Sequence, residues 1–144
     1  MKVSPKIKDI IYDIFQNCKR EYGGIFGGYD GVITKFVFDK GLCNENIGTY
    51  IPDVEFLNDC IEKWQTQNIS FYGIIHNHLT EYADLSGEDI KCIETIMNAM
   101  PSNIECLYFP VISSKNILNA FKATRTNTGI CIVSEDISIM ERSI

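Results

Sequence analysis

The chain has 144 residues, of which 45% are hydrophobic and 22% are charged. These are values of an ordinary globular protein, and they exclude a disordered or low-complexity chain. The length predicts a single domain over residues 1–144 that needs neither disulfides nor a structural metal to fold. The formal net charge of −6 argues against a nucleic-acid partner, because Lys and Arg provide most of the affinity for phosphates.

Cysteine usage and the N-terminal segment predict a cytoplasmic location. The six cysteines include no Cys-x-x-Cys pair, so we expect reduced thiols that are mostly buried. The opening residues Met-Lys-Val-Ser-Pro-Lys lack the apolar core of a secretion signal. No apolar run approaches the roughly 18 residues of a membrane span, and we therefore expect no membrane partner.

In the first half of the chain, the pattern predicts a helix and then a β-hairpin. Ser4 and Pro5 are typical of a helix start, and the helical spacing of apolar residues continues to Cys18, which predicts a helix that ends near Arg20. The segments GGIFGG and DGVITKFVFDKG follow as two strands. Three residues would supply the turn between them: Gly28, Asp30 and Gly31.

The second half alternates helices and strands. After a polar loop over residues 41–49, apolar spacing predicts a helix over 56–64, a strand buried on both faces over 71–75 and a helix over 86–100. Further strands are predicted over residues 104–110, 117–123 and 129–133. This alternation indicates an α/β domain with helices packed on one mixed sheet.

The only two histidines, His76 and His78, stand at the end of the buried strand. Residues two apart on a strand point to the same face, with Cα atoms roughly 6.5 to 7 Å apart. Such a pair suits two nitrogens that converge on zinc at about 2.0 to 2.1 Å. The spacing alone is explained equally well if the two histidines are simply polar residues at the point where a buried strand reaches solvent.

Ser86 and Asp89 precede a helical apolar pattern, and their spacing is that of a capping box. A carboxylate in the first turn also lies at the positive end of the helix, where it stays ionised and can bind a metal. For Asp89 we expect these two roles to conflict, because a carboxylate turned toward zinc caps poorly.

Two imidazoles and one carboxylate would leave a fourth tetrahedral position open for water, which is typical of a hydrolytic zinc site. The water would need a nearby base. Glu21, Glu81 and Glu88 are all candidates, and their spacing does not rank them.

Taken together, Glu21 before YGGIFGG, the His76-x-His78 pair, seven intervening residues and Ser86-x-x-Asp89 resemble the signature of the JAMM (JAB/MPN) zinc metalloproteases. The resemblance implies that His76, His78 and Asp89 bind zinc and that Glu21 is the general acid/base. It gives Ser86 the role of stabilising the tetrahedral oxyanion. The implied fold is the cytidine-deaminase-like three-layer α/β arrangement, a mixed β-sheet flanked by helices.

The chain departs from the family pattern in one place. Many members have proline after the second histidine, whereas this chain has Leu79, so we expect the loop over residues 79–85 to follow a different path. The His-Asn-His triplet with Ser-Gly-Glu-Asp also resembles RadC-type proteins, although the EYGGIFGG segment fits the JAB branch better. Deaminase chemistry is not supported, because the chain lacks His-x-Glu and Pro-Cys-x-x-Cys.

The activity implied by the JAMM resemblance is hydrolysis of a peptide or isopeptide bond after the C-terminal Gly-Gly of a ubiquitin-like protein. Its partners would be that protein, its conjugates and any E1- or E2-like enzymes that make them. Release of a small sulfur-carrier protein from an adduct is the alternative peptidase. A noncatalytic MPN scaffold is disfavoured because all five motif positions are intact, and an HNH nuclease because acidic residues surround the motif.

Overall fold

The computed structural model describes residues 1–42 and 49–140, and in it one mixed sheet lies between helices. Most of the predicted polar loop, residues 43–48, lies outside the described residues. Helix α1 (Pro5–Phe15) packs on one face of the sheet, and α2 (Val54–Thr66) and α3 (Gly87–Ala99) pack on the other. The predicted three-layer α/β architecture is confirmed.

The nine strands within the described ranges form a single sheet. The strands are β1 (Lys2–Val3), β2 (Gly23–Tyr29), β3 (Val32–Asp39), β4 (Ser70–Asn77), β5 (Cys106–Tyr108), β6 (Val111–Ile112), β7 (Leu118–Thr126), β8 (Gly129–Glu135) and β9 (Ser138–Ile139). β4 is central: it pairs antiparallel with β2 and parallel with β5 and β6. Its end is therefore fixed from both sides.

Successive residues of a strand point to opposite faces, and this alternation divides the core. On β2, Phe26 packs with Ile11 of α1, whereas Ile25 packs with Leu57 of α2. β4 is likewise covered on both faces, as its continuous apolar run predicts.

Helix α1 ends earlier than predicted. The predicted end near Arg20 is wrong, because Gln16 is extended and Asn17 has a positive φ of 59°. Asparagine is one of the few residues that tolerate this conformation, and it commonly stops helices. Cys18 still packs against the core, which explains the misleading helical spacing.

Two other expectations need correction. The strand predicted over residues 104–110 is shortened to β5, and a second short strand, β6, follows beyond the predicted range. Both strands lie between β4 and β7, and Pro110, a residue without an N–H, stands between them. The cysteines among the described residues are free, as predicted, but all five are exposed or only partly buried. No helix in the described ranges is long and apolar enough to cross a membrane.

Candidate metal centre

Three potential ligands converge where β4 ends and α3 begins. Nε2 of His76 lies 2.9 Å from Nε2 of His78, and the Asp89 carboxylate faces both rings. Its Oδ1 is 3.3 Å from His76 Nε2, and its Oδ2 is 3.1 Å from His78 Nε2. All three side chains are partly buried and could together hold a metal ion.

The donor set and its geometry fit zinc. Tetrahedral bonds of about 2.0 to 2.1 Å place neighbouring ligand atoms about 3.3 Å apart. The three distances observed here require a shift of at most a few tenths of an ångström to reach that value. Nδ1 of His78 lies 3.3 Å from the Tyr82 carbonyl oxygen. A proton on Nδ1 would be donated to this carbonyl, which leaves the Nε2 lone pair available for a metal.

The expected conflict between capping and ligation by Asp89 does not arise in the structure. Oδ2 of Asp89 accepts the backbone N–H of Ser86 at 2.9 Å while it faces His78. In return, Oγ of Ser86 accepts the backbone N–H of Asp89 at 3.1 Å, which completes the capping box. A carboxylate has several lone pairs, so the cap fixes its orientation and leaves room for a further contact. The prediction that Asp89 must choose between the roles is therefore wrong.

Electrostatics in the site favour an anionic Asp89. Burial raises the pKa of this carboxyl, but hydrogen bonds with His76 and His78 outweigh burial and hold its pKa well below the usual range. The hydrogen bond to Asp89 in turn raises the pKa of His78 above the ordinary 6.5, against the lowering effect of burial. A cation between the three groups would take the place of the imidazole protons.

Glu21 and Ser86 line the same cavity as two of the potential ligands. This cavity has a volume of about 370 Å³, and His78 and Asp89 also line it. Oε1 of Glu21 accepts the backbone N–H of Tyr50 at 3.2 Å. Of the other candidate bases, Glu88 lines the cavity from an exposed position and Glu81 is exposed on the loop. Leu79 lies on the same loop and is 42% exposed.

Asn77, between the two histidines, holds the segment that carries Glu21, and its role was missed in the sequence. This side chain is only 3% exposed. Its Oδ1 accepts the backbone N–H of Tyr22 at 2.6 Å, and its Nδ2 donates to the Arg20 carbonyl at 3.1 Å. The Asn77 side chain thus hydrogen-bonds to the backbone on both sides of Glu21. The available signal was an amide two residues beyond the strand predicted over 71–75, since a polar group buried at a strand end needs hydrogen-bond partners.

A second, apolar cavity adjoins the metal centre. Its volume is about 250 Å³, and His76 and Asp89 are among the polar residues that line it. Its walls are mostly apolar and include Ile51, Pro52, Ile74 and Ile96. The arrangement places the polar His-His-Asp group beside a surface that could hold an apolar or backbone segment of a ligand.

Sequence comparisons give no family assignment, because no family model and no curated protein matches the chain. Solved structures do match its fold. A JAB1/MPN domain protein from Archaeoglobus fulgidus superposes with a TM-score of 0.57 and 14% identity, covering 98% of this chain and all of that one. This is a JAB1/MPN-like fold.

Two further structures cover 98% of this chain. A protein from Desulfitobacterium hafniense has a TM-score of 0.69 at 16% identity, with 93% of its own chain covered. A protein from Salinibacter ruber has a TM-score of 0.59 at 17% identity, with 92% covered. At these identities the likeness concerns the fold alone. Function has to be inferred from the His-His-Asp group that the JAB1/MPN-like fold carries here.

Proposed function

We propose that the protein is a zinc-dependent peptidase of the JAMM type. The observation that supports it best is the convergence of His76, His78 and Asp89 in a cleft that Glu21 and Ser86 also line. The three ligands would hold the ion and leave one coordination position free. Zn²⁺ bound there would supply Lewis acidity, which acidifies water and polarises a carbonyl oxygen.

Glu21 is the proton carrier in this proposal. Its carboxylate would accept a proton as the water oxygen bonds to the carbonyl carbon of the scissile amide. It would then deliver the proton to the amide nitrogen as the C–N bond breaks, which yields a carboxylate and an amine. Asn77 and the Tyr50 backbone hold Glu21 through the contacts described above, so this carboxylate needs little reorganisation.

Ser86 would stabilise the oxyanion. Its Oγ already accepts the Asp89 backbone N–H, which fixes the oxygen and leaves the hydroxyl hydrogen free to donate. A fixed donor aimed at a developing negative charge is the usual device for this step.

For the substrate, we propose the bond after the C-terminal Gly-Gly of a ubiquitin-like protein or its conjugate. The assignment follows from the resemblance of the five-residue motif to JAMM proteases. It is supported by the apolar cleft beside the metal centre, since an extended glycine tail brings its backbone close to the reaction centre without Cβ atoms. A sulfur-carrier adduct would present the same tail with a smaller leaving group.

A gel assay on fusions tests this function. Fusions that carry a peptide or a lysine-linked adduct after Gly-Gly are incubated with zinc-loaded protein, with chelator-treated protein and after zinc add-back. We expect cleavage that the chelator abolishes and zinc restores, and that slows when the last glycine is changed to alanine. Cleavage that survives the chelator contradicts the mechanism, and no cleavage of any fusion favours a scaffold or RadC-like role.

A further inference from the structure

Tyr50, which precedes α2, contacts two residues of the proposed active site at once. Its backbone N–H donates to Oε1 of Glu21 at 3.2 Å. Its ring stacks on the imidazole of His76, with an interplanar angle of 17° and centroids 6.4 Å apart. One residue therefore touches both the proposed acid/base and one proposed ligand.

A buried carboxylate anchors the far end of this tyrosine. The hydroxyl of Tyr50 donates to Oδ2 of Asp39 at 2.6 Å, and Asp39 is only 3% exposed. The backbone N–H groups of Gly41 and Asp53 also donate to this carboxylate, at 2.8 and 3.0 Å. Three directed donors on a buried acceptor leave the phenol little freedom, because breaking any of them would leave a buried charge poorly solvated.

Two glycines, Gly23 and Gly41, leave space for the Tyr50 ring beside the backbone. A Cβ added to Gly23 would overlap the Tyr50 ring carbons, and one added to Gly41 would lie 3.1 Å from Cδ1 of the same ring. Gly23 is also the cross-strand partner of His76 in the β2–β4 pairing. The Tyr50 ring thus packs over Gly23 and against His76, which is the cross-strand partner of Gly23.

We propose that Tyr50 is a positioning residue: anchored by Asp39, it sets the orientation of the His76 imidazole and the place of the Glu21 carboxylate. An effect of Tyr50 on zinc-dependent turnover rests on the proposed function. The contacts by which Tyr50 orients His76 and Glu21 are present in the metal-free protein as well. Hydrogen-bonded groups that orient a metal-ligating histidine typically affect metal affinity about 10- to 100-fold, and we expect an effect of about the lower end of that range from the stacked ring of Tyr50.

The test compares zinc affinity, by competition with a chromophoric chelator, in Tyr50→Leu, Tyr50→Phe and Tyr72→Phe. Tyr72 is the matched control, because its hydroxyl also has a defined partner, the Gly31 N–H at 2.8 Å, away from the site. We expect about a tenfold loss of affinity or more in Tyr50→Leu and none in Tyr72→Phe. A smaller loss in Tyr50→Phe assigns the effect to the ring, and an equal loss assigns it to the hydroxyl anchor; both support the proposal.

A metal-free measurement separates this inference from the proposed function. In NMR spectra of the unaltered protein without zinc, we expect an NOE between the ring protons of Tyr50 and His76. We also expect the His76 ring signals to move more in Tyr50→Leu than in Tyr72→Phe. Affinity unchanged in both Tyr50 variants, an equal loss in Tyr72→Phe, or a missing NOE would overturn the proposal. A protein that binds no zinc yet shows the NOE and the shift would overturn only the proposed function.

Discussion

Oδ2 of Asp89 lies 3.1 Å from Nε2 of His78. The same oxygen accepts the backbone N–H of Ser86, so the cap of α3 holds the carboxylate in place against the imidazole. The helix start thereby preorganises an anionic ligand, and its position near the positive end of the helix dipole favours that charge. The helix cap and the potential metal site therefore share one side chain.

The two roles of Asp89 separate by mutation. Asp89→Ala should abolish stoichiometric zinc binding and should also lower the free energy of unfolding by about 1 kcal/mol through loss of a cap contact. Ser86→Ala should cost a similar amount of stability, retain zinc and lose turnover, because the hydroxyl donor is gone. Elemental analysis, denaturant unfolding and turnover measurements on the two variants check this.

Ser4→Ala is the control for the cap. Ser4 caps α1 through the same kind of contact, with its Oγ accepting the Ile7 N–H at 3.3 Å, away from the site. It should lose comparable stability and keep both zinc and turnover. Full zinc content in Asp89→Ala would mean that Asp89 is only a cap.

Glu21→Gln should keep zinc and lose turnover by about 10² to 10⁴. The amide can still accept the Tyr50 N–H through its oxygen, but it cannot take up the proton of the attacking water. Steady-state kinetics with parallel metal analysis measure both quantities. Glu81→Gln is the matched control on the exposed loop and should leave turnover unchanged; an inactive Glu81→Gln beside an active Glu21→Gln would move the base to that loop.

Asn77→Ala should shift Glu21 from its place in the site, whereas His76 and His78 should keep their positions on β4. The change removes the hydrogen bonds of Asn77 to two partly buried backbone groups, Arg20 O and Tyr22 N, so we expect a cost of about 1 to 3 kcal/mol in unfolding free energy. Turnover should fall more than zinc affinity. The control is Ser113→Ala, which truncates another buried polar side chain, one whose hydroxyl accepts two backbone N–H groups. Equal losses of turnover in the two variants would show a general effect of destabilisation.

Zinc binding should weaken as pH falls, beginning above the pH expected for an ordinary histidine. The hydrogen bond to Asp89 raises the pKa of His78 in the metal-free protein, so its proton competes with the ion at higher pH. Chelator competition between about pH 6 and 8 measures this dependence. An affinity that stays constant over this range would show that His78 does not ligate the ion.

The order of the major elements was predictable because burial imposes a period on the sequence. The β2–β3 hairpin, α2, β4 and α3 all lie within a few residues of their predicted ranges. β1 and β9 have only two residues each, too few to show a period, and they arise from parallel pairing at the sheet edge.

The potential ligands were predictable because His76 and His78 stand two apart at the end of a strand, Asp89 follows a capping pattern, and the resemblance to the JAMM signature joins the three residues in one site. The residues that position the site's side chains were not predictable from the sequence. Asn77 contacts a residue 55 positions away, and Tyr50 contacts one 29 positions away. Such contacts form only when the sheet is assembled, so they cannot be predicted from the local spacing of residues.

The most direct test of the central claim is a zinc titration of peptidase activity. Chelator-treated protein receives increasing zinc, and cleavage of a Gly-Gly fusion is measured at each addition, beside the Asp89→Asn variant. We expect activity that rises linearly, stops rising at one zinc per chain and is absent from the variant. Full activity before zinc is added, or equal activation of Asp89→Asn, would contradict zinc-dependent hydrolysis at this site.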